Sequence, residues 1–331
     1  MKKTGLGLLV LLFTLGMVLT ACSSTTTEQS QGESTKAQDD LFVTIATGGT
    51  SGVYYPIGGA LASLYEKELG IGTSVQATGA SVENVNLLAT NNAELAITMA
   101  DTVLQAYQGF GAFEGKEPME ELRGLAGLYP NYVQIVTTKA SGIKTFEDLR
   151  GKRVGVGAPN SGVELNARMM FEAHGMNYED IQEDYLSYSE AIDQIKNGMI
   201  DAAFVTSGVP NSTVIDLQTT QDVVIVPVEG AGMEKLQELY PFFSANVIPA
   251  GTYGNEEDIP TASIQNLLLV NKDLSEEVVY QMTKLLFENV NQIHSSHHAA
   301  TDISLDTVTE GMVVPWHPGA EKYYKEVGAM K

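Results

Sequence analysis

Apolar and polar positions change character three times along the 331-residue chain. Residues 6–19 form an uncharged, largely apolar run behind Lys2 and Lys3, ending in Leu19-Thr20-Ala21-Cys22. Residues 23–40 (SSTTTEQSQGESTKAQDD) hold one apolar side chain, Ala37, too little burial to offset the entropy of ordering, so they predict a flexible tether. From residue 41 the pattern turns globular. Residues 41–47 are apolar and β-prone and stop at Gly48-Gly49-Thr50-Ser51-Gly52. Ile57, Leu61, Leu64, Tyr65 and Leu69 then recur at helical spacing, beginning beside Pro56, which suits a first helical turn. The unit is strand, glycine loop, helix.

The same unit returns about 110 residues later. Residues 152–157 predict a short strand, Ala158-Pro159-Asn160-Ser161-Gly162 a loop, and residues 163–174 a helix ended by Gly175. Downstream, residues 83–97 and 190–204 each predict a helix, a turn and an apolar strand. This internal echo points to two related α/β lobes, rather than one large sheet, with mostly parallel pairing and ligands outside the carboxyl ends of the strands. Residues 129–139 (YPNYVQIVTTK) and 262–272 (ASIQNLLLVNK) are extended runs suited to crossing between the lobes. They divide the chain into residues 41–137 with 266–331 as the first lobe and 138–265 as the second. A last helix, from residue 276 to about 294, is expected to pack on the first lobe.

The N-terminal pattern is that of a secretory signal over residues 1–21, and its apolar run is short for a roughly 30 Å hydrocarbon core. Cys22 is the only cysteine, so no disulfide forms within the chain. Loss of Lys2 and Lys3 leaves 17 basic residues against 41 acidic ones, a net of −24. Such a surface repels nucleic acid and anionic headgroups, while an anion held locally by backbone amides stays possible.

Glycines at Gly48, Gly49 and Gly52 let successive N–H groups curl toward one point, where a helix start adds its positive end. The alternative is a turn needed only for packing. A nucleotide P-loop does not match, because no Gly-Lys-Ser/Thr follows. Thr50 and Ser51 complete the first loop, and Asn160, Ser161 and Gly162 form its counterpart in the second lobe. Tyr54 and Tyr55 follow the first loop; neighbours point in different directions, so at least one is core. Thr78, Gly79 and Ser81 lie in a third loop, between a short strand at 73–76 and a helix starting near Val82, with Ser81 a candidate N-cap or ligand contact. Thr98 and Asp101, and Thr206 and Ser207, stand where parallel strands end. Of the four arginines, Arg168 lies two turns into the second glycine-loop helix, within reach of a carboxylate or of a surface ion pair. His294, His297 and His298 have helical spacing but no HExxH, and no GxSxG is present, so neither a metal nor a cofactor is expected and binding is favoured over catalysis.

The chain resembles the TAXI solute receptors of tripartite ATP-independent periplasmic (TRAP) transporters. The resemblance is carried by ATGGTSGVYYPIGGALA at 46–62, GIKTFEDLRGKRVGVGAPNSGVELNAR at 142–168, IPTASIQNLLLVNKDL at 259–274 and WHPGAEKYYKE at 316–326. Leu19-Thr20-Ala21-Cys22 resembles the lipobox of bacterial lipoproteins, which implies a membrane anchor at Cys22. The resemblance implies a two-lobed periplasmic-binding-protein fold (type II) that closes on a small anionic or zwitterionic solute and presents it to TRAP permease subunits. Amino acids such as glutamate or glutamine and other small carboxylates are the implied ligands. The matching positions are the first glycine loop with Tyr54 and Tyr55, the loop after Gln76, and the Asn160-Ser161-Gly162 turn. Thr98-Met99-Ala100-Asp101 stands where family members often have a Gln-Ser-Asp run, and many members lack a lipid anchor. The expected assembly is a monomer. An extracytoplasmic enzyme, motivated by Asp101 and the histidines, and an adhesive or signalling lipoprotein are the competing classes.

Overall fold

The computed structural model describes residues 41–331. The signal sequence at 1–21, Cys22 and the tether of 23–40 lie outside the described residues. The first lobe opens with β1 (Phe42–Ala46), α1 (Tyr54–Leu69), β2 (Gly72–Gln76), α2 (Ser81–Ala89), β3 (Leu95–Met99) and α3 (Ala100–Gln108). β1 pairs in parallel with β2 and β3, and each strand runs into a loop and a helix start. Side chains explain the layering. One face of the sheet packs Ile57, Leu61 and Leu64 of α1, while the other packs Val85 and Leu88 of α2 and Val103 and Ala106 of α3. β3 is covered on both faces and buried throughout, which is why its sequence is apolar without alternation.

β4 (Leu122–Thr138) crosses to the second lobe as a single 17-residue strand, starting seven residues before the extended run expected from the sequence. There follow β5 (Arg153–Gly155), α4 (Gly162–Ala173), β6 (Gln182–Asp184), α5 (Tyr188–Lys196), β7 (Ala202–Ser207), α6 (Ser212–Gln218), β8 (Val223–Val226), α7 (Gly230–Leu239) and β9 (Ser244–Ile248). The second lobe repeats the parallel core of the first, with β5 between β6 and β7. β10 (Ile259–Asn271) returns to the first lobe.

The ladder is continuous, in the order β2-β1-β3-β10-β4-β7-β5-β6, with β8 on β4 and β9 on β10. That differs from the expectation of two separate sheets. The βα units pair in parallel, and every antiparallel pair involves β4 or β10. The two crossing strands bond to each other; β10 also carries β9 and β3 at its two ends, and β4 carries β7 and β8 along its C-terminal part. The C-terminal helix is also divided, into α8 (Glu276–Glu288) and α9 (Val290–His294), where Asn289 leaves helical geometry. Met282, Leu286 and Ile293 from this pair join Tyr323 and Tyr324 of α10 (Pro318–Glu326) against α1. No helix among the described residues is long and apolar enough to cross a membrane.

Candidate functional site

Helix starts from both lobes converge on one cavity of about 80 Å³. Val53 and Tyr54 come from the start of α1, Ala80 and Ser81 from α2, Ser161 and Val163 from α4, and Ser187 and Tyr188 from α5. Each is placed by local chemistry. Gly49 accepts from the Gly52 N–H at 2.9 Å, curling the first loop. Ser161 caps α4 by accepting from the Glu164 N–H at 3.1 Å. Ser187 and Glu190 form a capping box at α5. Helix starts carry unpaired N–H groups and partial positive charge. Among the described residues, no partner stands on the N–H groups of Ser51, Val53 or Tyr54.

Of the residues singled out in the sequence, Gly48, Gly49, Ser51, Gly52, Tyr54, Thr78, Gly79, Ser81, Ser161, Thr206 and Ser207 line this cavity. Thr50, Tyr55, Thr98, Asp101, Asn160 and Gly162 do not. Tyr54 is the inward member of the tyrosine pair; its hydroxyl donates to Asn266 Oδ1 at 2.5 Å. Tyr55 is half-buried and stands outside the cavity lining. Ser81 does not cap α2. It is the first helical residue, Ala80 takes the cap position at φ 79°, and Ser81 Oγ accepts from the Met99 N–H at 3.1 Å, tying α2 to the end of β3.

Gly162 stands where the lobes meet, and any side chain there would run into Met99 and Ser81. Asn160 donates no side chain to the cavity; its carbonyl accepts from the Glu83 N–H across the cleft at 3.2 Å. Ser212 Oγ reaches the Ser51 carbonyl at 3.3 Å, a third interlobe tie beside Gly162 and Asn160. Asp101 is wholly buried behind the cavity, where Asn166 Nδ2 of α4 donates to its Oδ2 at 2.8 Å. Burial pushes its pKa up to about 7. These contacts hold the lobes closed on each other.

Val53, Ala80, Met99, Tyr129, Asn131, Ala158, Val163, Ser187 and Tyr188 also line the cavity and were not singled out in the sequence. The Ser187-Tyr188-Ser189-Glu190 pattern is a capping-box signature, so the position of Tyr188 at a helix start was available to read. Nothing local marks Asn131, one polar residue within a long strand. Burial pushes the tyrosine hydroxyls of Tyr54, Tyr129 and Tyr188 up, keeping them neutral. Tyr188 donates to the Thr206 carbonyl at 2.6 Å.

Among the described residues, no charged side chain lines the cavity. Arg150, Arg153 and Arg168 pair with Asp180, Asp201 and Glu164, and Arg123 binds the carbonyls of Glu120 and Leu122. Arg168 is thus a surface ion pair that also lies over the Tyr178 ring. The histidines serve the backbone: His297 Nδ1 accepts from the Ala299 N–H, and His294 Nε2 bonds the Ile303 carbonyl. Among the described residues no group of three or more His, Cys, Asp or Glu is placed to hold a metal.

Two α/β lobes joined by crossing strands, with a cavity between facing helix starts, define the two-lobed periplasmic-binding-protein fold. The chain belongs to the NMT1-like family, whose model matches residues 45–328. Solved structures share the fold at low identity. A protein of Bordetella bronchiseptica RB50 is 17% identical with a TM-score of 0.53, covering 88% of this chain and 90% of its own. PhnD1 from Prochlorococcus marinus (MIT 9301), solved with methylphosphonate, is 12% identical with a TM-score of 0.54, covering 80% and 91%. A structure described as a periplasmic transporter is 13% identical with a TM-score of 0.53, covering 87% and 92%.

Proposed function

We propose that the protein is an extracytoplasmic solute-binding receptor of a TRAP-type secondary transporter, capturing a small carboxylate or amino acid and delivering it to membrane permease subunits. The observation that carries this reading is the cavity enclosed between lobes and lined by loops from both, since a solute held there favours the closed form over the open one. Membership of the NMT1-like family supports the receptor class, and the four sequence segments that resemble TAXI receptors support the transporter type. Lipid on Cys22 and the tether of residues 23–40 would keep the receptor near its permease; two acyl chains suffice for stable anchoring where one does not.

The test uses the full-length protein purified in detergent, with thermal shifts measured against amino acids and small carboxylates. A Cβ at Gly49 meets nothing within 4 Å, so Gly49→Val leaves the fold intact while adding bulk and stiffness to a loop that lines the cavity. At least one compound should raise the melting temperature of the wild type by several degrees and leave the variant unmoved. Failure of every compound on folded wild-type protein would count against a receptor, and normal affinity in the variant would remove the first loop from the site. The intact mass of the same sample reports whether Cys22 carries lipid.

A further inference from the structure

Behind the cavity, the two lobes meet at a carboxyl. Asp101, the second residue of α3 in the first lobe, has no exposed surface, and Asn166 of α4 covers it from the second lobe. Asn166 Nδ2 donates to Asp101 Oδ2 at 2.8 Å. Asn166 is itself wholly buried, and its Oδ1 has no partner among the described residues. Oδ1 shares a carbon with that nitrogen, which keeps it close to the same carboxyl. An ionised carboxyl offers such a neighbour only acceptors, whereas a protonated one offers a donor. The proton is the group that this buried pair lacks, and an unpaired buried acceptor costs stability.

The elements around Asp101 bring no compensating charge. Within α3, Thr102 Oγ1 donates to Asp101 Oδ1 at 3.4 Å. α1 presents Tyr54, which burial keeps neutral and whose proton goes to Asn266 of β10. On α2, Glu83 is turned to the Gly79 N–H at 2.6 Å. On α4, Glu164 and Arg168 pair with each other at 2.6 Å, and Lys116, beyond α3, lies over the Phe113 ring. Burial therefore outweighs the hydrogen bonds to Asp101 and holds its pKa at about 7. Opening the cleft reverses the balance. Asn166 withdraws with the second lobe, water reaches the carboxyl, and the N–H groups at the start of α3 favour its charged form.

We infer that the Asp101–Asn166 contact is a proton-binding latch between the lobes: closing the cleft takes a proton from solvent onto Asp101, and losing that proton drives the lobes apart. The latch acts on closure itself, whatever the cavity holds, and so goes beyond the receptor reading. Between the ordinary carboxylate range near pH 4 and about pH 7, the closed form holds a proton that the open form has released. Each rise of one pH unit in that window shifts the balance about tenfold toward the open form, and above about pH 7, where both forms are ionised, the shift levels off.

The experiment is hydrogen exchange read by mass spectrometry on the full-length protein in detergent, with no solute added, from about pH 5 to about pH 8. Rates are corrected for the intrinsic pH dependence of exchange. Residues 79–83 and 160–166 meet across the cleft. In the wild type their protection should fall at least tenfold over this range, while β1 and β7 in the lobe interiors keep theirs. Asp101→Asn keeps the shape of the protonated carboxyl and should hold both segments protected at every pH. His297, beside Pro210 of the second lobe, is present in both proteins, so the comparison isolates Asp101. A second measurement does not need that variant to fold: in Gly162→Val, which parts the lobes, the Asp101 carboxyl followed by its carbon NMR shift should titrate about one pH unit or more below its wild-type midpoint. Equal pH dependence in wild type and Asp101→Asn, a loss of protection that spreads equally to β1 and β7, or an Asp101 midpoint unmoved in Gly162→Val would overturn the latch. Each of these results would leave the receptor reading standing, because no solute enters the measurement.

Discussion

At the scale of single residues, the site is governed by which polar atoms are paired. Asp101 is the sharpest case, a carboxyl with no exposed surface whose cross-lobe partner is Asn166. Desolvation raises its pKa from 3.8 to about 7, so between these values the folded protein keeps a proton that the unfolded chain has released. Its contribution to stability is therefore complete below about pH 4 and is lost as pH climbs through about 7. Asp101→Asn removes that titration. The urea midpoint of the wild type should fall more steeply than that of the variant between about pH 4.5 and 7.5, by on the order of a few kcal/mol in stability. Parallel slopes would show that Asp101 is not the source. The position of Asp101 at the end of β3 was legible from the strand pattern, but its burial was not: the covering residue, Asn166, lies 65 positions away in the other lobe.

At the scale of elements, the packing of α1 on β1 shows how a small residue sets a distance. A Cβ added at Gly58 would lie 2.5 Å from Thr47 Cγ2, and Thr47 is itself fixed by donating to the Gln76 carbonyl at 2.7 Å. Gly58→Ala gains roughly 1 kcal/mol of helix propensity but must push α1 off the sheet. Overpacking of this kind costs about 1–3 kcal/mol. The net expectation is a lower urea midpoint, and a variant as stable as wild type would mean that Thr47 yields freely. Helices and strands such as α1, α4, β3 and β7 follow from local pattern alone, helical spacing for the helices and short apolar runs for the strands. The full extent of β4 did not, since Leu122–Leu128 is held by pairing with β10, more than 130 residues downstream.

At the scale of the whole molecule, closure depends on how near the lobes can come. A side chain at Gly162 would strike Met99 and Ser81 of the facing lobe, while Gly162 itself begins α4 without a positive φ. Gly162→Val should thus fold normally yet hold the lobes apart. A ligand at a hundred times its Kd adds about 2.7 kcal/mol to wild-type stability, and the variant should lose most of that gain while its radius of gyration by small-angle scattering stays above that of the liganded wild type. A full ligand shift with an unchanged radius would show that the lobes do not meet at Gly162 in solution.

The repeated strand–loop–helix unit, the loops that reach the cavity, and the placing of Tyr54, Ser161, Thr206 and Ser207 near strand ends or helix starts can all be read along the chain. These are local properties, set by residues a few positions apart. Which of two adjacent tyrosines turns inward, that Ser81 ties α2 to β3 instead of capping it, and that the cavity is lined without charge depend on contacts between distant segments. Asn131 belongs to that second group. Its amide donates to the Tyr54 hydroxyl, which is oriented in turn by Asn266 and the Tyr129 carbonyl, residues that stand up to 212 positions apart and meet because β4 and β10 run side by side. Hydrogen-bond direction is a property of that meeting, and no one of the four residues carries it alone.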